Sequence, residues 1–250
     1  MEAVLERRAV ATGGISLAGV VRVLGDKAVL DGLDLEVAPR ERLGIVGRSG
    51  TGKSTLLSLV AGLDEPDRGV VRVAGLDTAL GRLEQCALMP QGDSLLPWRT
   101  ALDNAGIALE NSGLSRSEAR AQARPLFARF GLEGAEGLRP SRLSAGMRQR
   151  VAFVRTLLAR KDVLLLDEPF GALDAITRGE LQEWLAGALA EEPQTVLLVT
   201  HDIEEALLLC NRVAVLSRGR IATVLDVDVE RDVADPAFVE LQRLALEAIE

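Results

Sequence analysis

Gly47-Arg48-Ser49-Gly50-Thr51-Gly52-Lys53-Ser54 is the stretch that decides the fold, because it fits the pattern G-x-x-x-x-G-K-[ST]. The apolar run of residues 42–46 before it predicts a strand, and residues 54–62 after it predict a helix closed by glycine. In that context the glycines let backbone N–H groups turn inward around phosphate oxygens, and the positive end of the helix faces the same anion. An accidental glycine-rich turn rarely brings strand, loop, lysine and helix into register. We therefore predict a phosphate cradle, called here the phosphate loop (residues 47–54).

Two side chains of the phosphate loop have predicted roles of their own. Lys53 is expected to reach the β- and γ-phosphates of a nucleotide. Ser54 is expected to ligate Mg²⁺, which prefers oxygen ligands and substrate phosphates to a cage made by the protein alone. The residues predicted to contact the nucleotide in this region are Gly47, Arg48, Ser49, Gly50, Thr51, Gly52, Lys53, Ser54 and Thr55.

An acidic pair, Asp167 and Glu168, follows the apolar run of residues 163–166. A strand that is apolar on both faces suits the centre of a parallel sheet, and ligands bind at the carboxyl ends of such strands. Asp167 is then placed to hold Mg²⁺ through water, and Glu168, which points elsewhere, would polarise the attacking water. Taken alone, this motif fits a strand that merely ends at an acidic turn equally well. A phosphate loop in the same chain favours the functional interpretation.

The composition limits the class of protein. The 250 residues, 48% of them hydrophobic, suffice for one large domain with an inserted subdomain. A net charge of -8 disfavours nucleic acid as a partner, because phosphate backbones bind to basic faces. Residues 1–13 lack a signal-peptide core and no apolar run approaches eighteen residues, so we expect a flexible leader and a cytoplasmic protein. Cys86 and Cys210 lie in apolar runs without metal spacing and are expected to be buried thiols.

Strands alternate with helices over most of the chain, which implies parallel crossover units. Residues 15–24 and 28–37 alternate in the manner of an antiparallel layer. The further predicted strands are residues 70–74, 86–89, 163–167, 196–200, 213–217 and 220–229, and the later predicted helices are residues 176–191, 202–210 and 236–249.

A helical segment interrupts this pattern between residues 92 and 160, where Ser115 and Glu118 are typical of a capping box. We predict an α/β fold with an antiparallel β layer and an inserted helical subdomain. Residues 14–91 and 161–250, including a C-terminal helix, form the nucleotide-binding core, and residues 92–160 form the subdomain.

Further motifs lie on both sides of the acidic pair. Leu143-Ser144-Ala145-Gly146-Met147-Arg148-Gln149-Arg150 resembles the signature LSGGQ and lies just upstream of the aspartate strand. Gln91 fits a Q-loop, residues 171–174 fit a D-loop, and His201 fits a switch histidine. Together with the phosphate loop and the acidic pair, these motifs occur in the order found in ABC transporter ATPases. The chain resembles that family from about residue 15 onward.

This resemblance implies a P-loop NTPase (RecA-like) core that forms a head-to-tail dimer with two ATP molecules between the subunits. Ser144 and Gly146 would contact the γ-phosphate of ATP held by the partner subunit. His201 would contact the γ-phosphate within its own subunit, and Gln91 would sense Mg²⁺ and water and relay occupancy to a membrane partner. Asp174 of the D-loop belongs to the same set of nucleotide-binding residues.

The resemblance thus implies ATP and Mg²⁺ as the ligands. The implied catalytic residues are Glu168, His201 and Gln91, and the implied metal ligands are Ser54, Gln91 and Asp167.

Three positions depart from the family pattern. Ala145 stands where glycine is usual, which adds a methyl group close to the expected γ-phosphate contact. Met147 stands where glutamine is usual. Leu24 stands where an aromatic residue would stack on adenine, and the chain has no tyrosine. We therefore expect apolar contact instead of stacking, and weaker base selectivity.

Three parts of the chain resemble one importer branch of the family, which serves nitrate, sulfonates, taurine and related solutes, including pyrimidine vitamin precursors. They are residues 95–100 (Leu-Leu-Pro-Trp-Arg-Thr), residues 167–175 and Met147. The resemblance implies a multi-span membrane permease, an extracytoplasmic solute-binding protein that acts indirectly, and a second ATPase subunit. A homodimer at the cytoplasmic face of the membrane is expected, and a heterodimer with a sister ATPase stays open. Trp98 either docks the permease or packs within the helical subdomain, and Trp184 is expected to be a core residue.

Two other functions compete with an importer ATPase. Soluble ABC proteins of DNA repair, chromosome handling or translation carry coiled-coil insertions, zinc elements or tandem ATPase halves, and none fits in 250 acidic residues. A nucleotide-binding module without hydrolysis is disfavoured because Lys53, Asp167, Glu168 and His201 are all present.

Overall fold

A computed structural model describes residues 13–171, 173–192 and 194–249. Residues 1–12 of the expected leader lie outside the described residues. Gly13, the last residue of that leader, is buried, and a Cβ atom there would lie 3.3 Å from the Cβ of Asp162. No helix in the described part of the chain has the length and apolar character needed to cross a membrane.

The described residues form nine strands and nine α-helices. The strands are β1 (Ile15–Leu24), β2 (Lys27–Val37), β3 (Arg42–Val46), β4 (Arg68–Val73), β5 (Cys86–Met89), β6 (Val163–Asp167), β7 (Thr195–Thr200), β8 (Arg212–Ser217) and β9 (Arg220–Asp226). The helices are α1 (Lys53–Val60), α2 (Ala79–Gln85), α3 (Ala101–Ala105), α4 (Ile107–Asn111), α5 (Arg116–Arg129), α6 (Ala145–Leu158), α7 (Ala175–Glu191), α8 (Ile203–Leu209) and α9 (Pro236–Ile249).

The strands form two sheets. The larger sheet has the order β5-β6-β7-β3-β8-β9, parallel from β5 to β8 and antiparallel at β9. The smaller sheet, in the order β2-β1-β4, is antiparallel. These sheets confirm the predicted α/β fold with an antiparallel layer. In β7 every residue is buried, as expected for a central strand covered on both faces.

The two faces of the larger sheet have different covers. One face is covered by α1 and the antiparallel layer, with which it shares a core that includes Leu17, Leu57 and Leu197. The opposite face packs against α3, α5, α6 and α7, through residues such as Phe127 and Leu164. The helical segment therefore shares its core with the sheet. A third cluster, centred on α8 and α9, covers β8.

Most predicted elements are confirmed, and the differences lie in short or terminal pieces. The last predicted strand, residues 220–229, is longer than the observed one, because β9 ends at Asp226. The short helix α2 was not predicted, and α3 and α4 were predicted only as part of the helical segment of residues 92–160, since five to seven residues are too few for a helical period. Cys86 and Cys210 are buried, as predicted. Trp184 packs edge-to-face on Phe130 and Phe153, as expected of a core residue.

A buried carboxylate joins the helices of the inserted segment. The side chain of Asp103, fully buried, accepts hydrogen bonds from Thr100 Oγ1 at 2.7 Å and from the guanidinium groups of Arg116 and Arg120 at 2.5–3.0 Å. These donors, above all Arg116, hold the pKa of Asp103 far below its usual value, against the effect of burial. The cluster therefore ties α3 to α5 by charge as well as by apolar contact.

Asp103→Asn should lower the free energy of unfolding by about 2 kcal/mol at pH 7, because the buried carboxylate loses its charge-assisted hydrogen bonds to Arg116 and Arg120. The pKa of Asp103 is lower in the folded protein than in the unfolded chain. Its full contribution to the free energy of unfolding is therefore present above the unfolded pKa of about 3.9, and this contribution is lost as pH falls from there through the folded-state pKa. Chemical denaturation from pH 7 to pH 3 measures the onset of this loss, which begins near the unfolded pKa. Asp31→Asn, which removes the exposed pair with Arg220, is the matched control. Equal losses in the two variants would contradict a special role for Asp103.

Candidate active site

The phosphate loop lies in close contact with two strands, β8 and β2. A Cβ atom on Gly47 would lie 2.4 Å from the carbonyl oxygen of Leu216 in β8, so no other residue fits there. Gly52 has φ +104°, and a Cβ atom on it would lie 2.9 Å from the carbonyl oxygen of Val29 in β2. Both glycines are therefore required by close approach of the backbone, and Gly52 also by its left-handed conformation. The helix α1 begins at the next residue, Lys53.

Lys53 is held inside the phosphate loop. Its Nζ donates to the carbonyl oxygens of Gly47 at 2.8 Å and Arg48 at 3.2 Å, and the residue is only 6% exposed. Burial lowers the pKa of Lys53, and the nearby charges of Glu168 and Asp167 oppose that change. The loop thus fixes the ammonium group with its own carbonyl groups before a phosphate arrives.

The other predicted residues of the loop differ in accessibility. Arg48, Ser49 and Gly50 are exposed at its tip, and Thr51 donates from Oγ1 to the carbonyl oxygen of Arg48 at 2.8 Å. Thr55 is half-buried in α1.

Ser54 and Asp167 meet at the carboxyl end of the parallel strands. Ser54 Oγ lies 3.4 Å from Asp167 Oδ1. Burial raises the pKa of Asp167, with a smaller contribution from Glu168, while the hydrogen bond from Ser54 lowers it. A hydroxyl and a carboxylate oxygen side by side are the hard ligands that suit Mg²⁺, so the residues present fit this metal.

Glu168 faces His201 across the neighbouring strand ends. Glu168 Oε2 lies 2.9 Å from His201 Nδ1, because β6 and β7 are adjacent and parallel. Glu168 has φ +43°, an unusual value for a residue other than glycine, and its N–H donates to the carbonyl oxygen of Val199 at 2.8 Å. Such strained backbone is common at functional sites. The structure therefore brings the acidic pair and the histidine together.

The turn around His201 is closed by hydrogen bonds that sequence reasoning missed. Thr200 Oγ1 donates to Glu205 Oε2 at 2.9 Å and accepts from the N–H of Asp202 at 3.0 Å. Asp202 in turn caps α8 by accepting from the N–H of Glu205 at 3.2 Å. An acidic residue one helical turn beyond an N-cap is a signal that could have pointed to Glu205.

The signature and D-loop residues act as helix caps in the structure. Ser144 caps α6 and accepts from the N–H of Met147 at 3.2 Å. Gly146 is buried, and a Cβ atom on it would lie 3.3 Å from Leu181 Cδ1 in α7. Asp174 caps α7 and accepts from the N–H of Thr177 at 3.1 Å, which lowers the pKa of Asp174.

Two further predicted residues are exposed at strand ends. Gln91 is exposed beyond the end of β5, and Leu24 is 48% exposed at the end of β1. A cavity of about 530 Å³ adjoins the phosphate loop. Its lining comes from residues 27–29, 48–51, 217–219 and Ile249, and includes the cations Lys27, Arg48 and Arg218.

Comparison with known proteins identifies the family to which this site belongs. Residues 30–171 match the family model described as ABC transporter. The chain is 49% identical over 204 residues to the aliphatic sulfonates import ATP-binding protein SsuB 1 of Rhodococcus jostii (strain RHA1), covering 82% of this chain and 79% of the relative. It is 43% identical over 204 residues to the formylaminopyrimidine import ATP-binding protein ThiZ of Halalkalibacterium halodurans, with the same two shares covered.

The fold is also that of a solved cassette. The dimeric post-hydrolysis structure of the ATP-binding cassette MJ0796 bound to ADP and Pi matches with a TM-score of 0.75 and 28% identity. The match covers 86% of this chain and 99% of that chain. These findings confirm the resemblance inferred from the motifs. The chain belongs to the ABC transporter ATP-binding family, the ATP-hydrolysing transport ATPases.

Proposed function

We propose that this chain hydrolyses ATP at the cytoplasmic face of the membrane to drive uptake of a small solute of the nitrate, sulfonate or taurine type through a separate permease. The observation that carries the proposal is the 2.9 Å contact between Glu168 and His201 at the strand ends that also hold Lys53 and Asp167. The named relatives support the importer class, with one named for aliphatic sulfonates and one for formylaminopyrimidine. Because these solutes differ in chemistry, the solute is selected by the permease and an extracytoplasmic binding protein.

Each residue of the site has one task in this proposal. The phosphate loop and Lys53 bind the β- and γ-phosphates of ATP, and Glu168 polarises the attacking water as a general base. His201 holds Glu168 in position and contacts the γ-phosphate. Ser54 and Asp167, with Gln91, would hold Mg²⁺, which when bound neutralises charge on the phosphate oxygens.

A second ATPase subunit completes the site. The solved relative is dimeric, which supports a homodimer here. Ser144 and Gly146 lie at the N-terminus of α6, where a helix presents N–H groups and positive potential to an anion. In the dimer these groups contact the γ-phosphate of ATP bound by the partner subunit, and Asp174 lies at the same contact.

The permease docks on the turn that carries Trp98. Trp98 is 68% exposed, so it does not fill the core of the helical segment. The fully buried Asn104 holds this turn, since its side chain bonds the backbone of Leu96 in both directions and donates to the carbonyl oxygens of Arg99 and Thr100. A large apolar side chain on a rigid turn is well suited to be an interface anchor.

Glu168→Gln should bind ATP and hydrolyse it about 10²–10⁴-fold more slowly, because general-base catalysis contributes a factor of that size. The variant should accumulate an ATP-bound dimer, which size-exclusion chromatography with Mg-ATP detects. Glu84→Gln, an exposed carboxylate on α2, is the control and should keep normal turnover. Normal turnover in Glu168→Gln would refute the assignment of the base.

Leu24→Tyr should tighten ATP binding, because stacking of an aromatic ring on a base is worth roughly 1–3 kcal/mol. Titration of both proteins with ATP and GTP measures the gain in affinity and the change in base selectivity. Leu80→Tyr, another exposed leucine, controls for added aromatic surface. Unchanged affinity in Leu24→Tyr would mean that another residue covers the base.

Trp98→Ala should leave ATP binding by the isolated subunit intact and weaken permease association by about 2 kcal/mol or more, as for other aromatic anchors. Val239→Ala, an exposed apolar residue of α9, is the control. Both variants are reconstituted with the permease and binding protein and assayed for ATPase stimulation by sulfonates, taurine and nitrate. Equal stimulation in Trp98→Ala would place the docking surface elsewhere, and no response to any solute would contradict the solute class.

A further inference from the structure

Arg178, in the first turns of α7, contacts two segments that lead to the catalytic pair. Its Nη2 donates to the carbonyl oxygen of Leu173 in the D-loop at 3.1 Å. Its Nη1 lies 3.9 Å from Asp202 Oδ2, next to His201. The side chain is one-third exposed, so both contacts lie at the border of solvent and protein.

The D-loop contact leads back to Glu168. The N–H of Gly171 donates to the carbonyl oxygen of Glu168 at 3.2 Å, and the N–H of Leu173 donates to that of Phe170 at 3.1 Å. These two bonds link Glu168 to Gly171 and Phe170 to Leu173. Leu173 is thus connected to Glu168 through the adjacent residues Phe170 and Gly171.

The second contact leads to His201. Its chain neighbours Thr200 and Asp202 belong to a hydrogen-bonded ring closed by Glu205, which is 3% exposed. Because His201 lies between two members of the ring, the ring holds the backbone on both sides of the histidine. Arg178 touches this ring at Asp202.

Two buried atoms in this region lack hydrogen bonds. Arg178 Nε, a donor, and Glu205 Oε1, an acceptor, have no partner among the residues that the structure describes. Burial raises the pKa of Glu205 to about 8, and the charge of Arg178 opposes this. Unpaired buried polar atoms are costly, so each of these side chains has hydrogen-bonding capacity that its present contacts leave unused.

We propose that Arg178 is a positioning residue that braces the D-loop against the turn of His201 and so sets the contact between Glu168 and His201. The proposal rests on the role proposed above for His201. When the D-loop moves, Arg178 transmits the movement to Asp202 and Glu205, and the imidazole changes its position relative to Glu168. A ligand or partner subunit that binds differently to the two arrangements shifts the balance between them.

The chain offers a spectroscopic test, because His201 is its only histidine. Histidine labelled with ¹³C and ¹⁵N in untagged protein gives the NMR signals of one imidazole ring. Arg178→Gln should shift these signals without nucleotide present. It should also lower kcat about tenfold with the KM for ATP changed less than about twofold, because a misplaced catalytic group slows the chemical step more than it weakens binding.

Two further variants make the result interpretable. Arg243→Gln removes an arginine of α9 that pairs with Glu240 and Glu247 at the surface, and it should change neither the NMR signals nor kcat. Arg178→Lys keeps the charge but offers one ammonium group in place of a fork, so intermediate shifts and an intermediate kcat are expected. It also serves in place of Arg178→Gln if thermal unfolding shows that the glutamine variant is not folded.

The outcomes separate this proposal from the one on which it rests. A lower kcat with unchanged His201 signals would overturn it, since Arg178 would then act elsewhere or only on stability. Shifted signals together with normal turnover in His201→Ala would support the coupling and overturn the proposed role of His201.

Discussion

Parallel pairing of three buried strands is the constraint on which the active site depends. The order β6-β7-β3 brings their carboxyl ends to one edge, with Asp167 paired to Val199 in adjacent strands. Glu168, His201 and Gly47 follow directly beyond these strand ends, so one register places the acid, the histidine and the phosphate loop together. A slip by one residue would turn each side chain to the opposite face of the sheet. The apolar cover on both faces opposes such a slip, and the core therefore specifies the site.

The site binds a polyanion in a protein whose net charge is -8. Salt screens exposed charges beyond roughly 8–10 Å, so binding of the polyanion depends on the charged groups close to the site. Lys53 is buried, and burial alone favours its neutral form, whereas Asp167 and Glu168 favour the ammonium form. The carboxylates to which we assign metal binding and water activation thus help to keep the lysine charged. Lys27 and Arg218, which line the adjoining cavity, add positive charge beside the phosphate loop.

Sequence patterns predicted the parts of the site that lie close together along the chain. The phosphate loop, the acidic pair and the cap Ser144 depend on local spacing, and all were placed correctly in the fold. Asn104 and Glu205 escaped notice, because a buried polar residue has no periodic signature and its partners are known only from the fold. The same holds for Arg178, whose contacts join two loops that follow different strands. Long-range polar contacts of this kind are the part of the mechanism that spacing alone does not reveal.

Helix α6, which begins with the signature residues, holds the segment between Gln91 and Trp98 through two arginines. Asn104 holds the turn of Trp98 in addition. Arg148 of α6 donates to the carboxylate of Asp93 at 2.8 Å, and Arg155 donates to the backbone carbonyl groups of Asp93 and Ser94 at 2.9 Å. These contacts bind the segment to α6, whose N-terminus carries Ser144 and Gly146. In the proposed dimer, the segment that follows Gln91 would therefore move together with the helix that meets the partner subunit's ATP. In the proposed function, these contacts link the nucleotide site to the turn that carries the exposed Trp98.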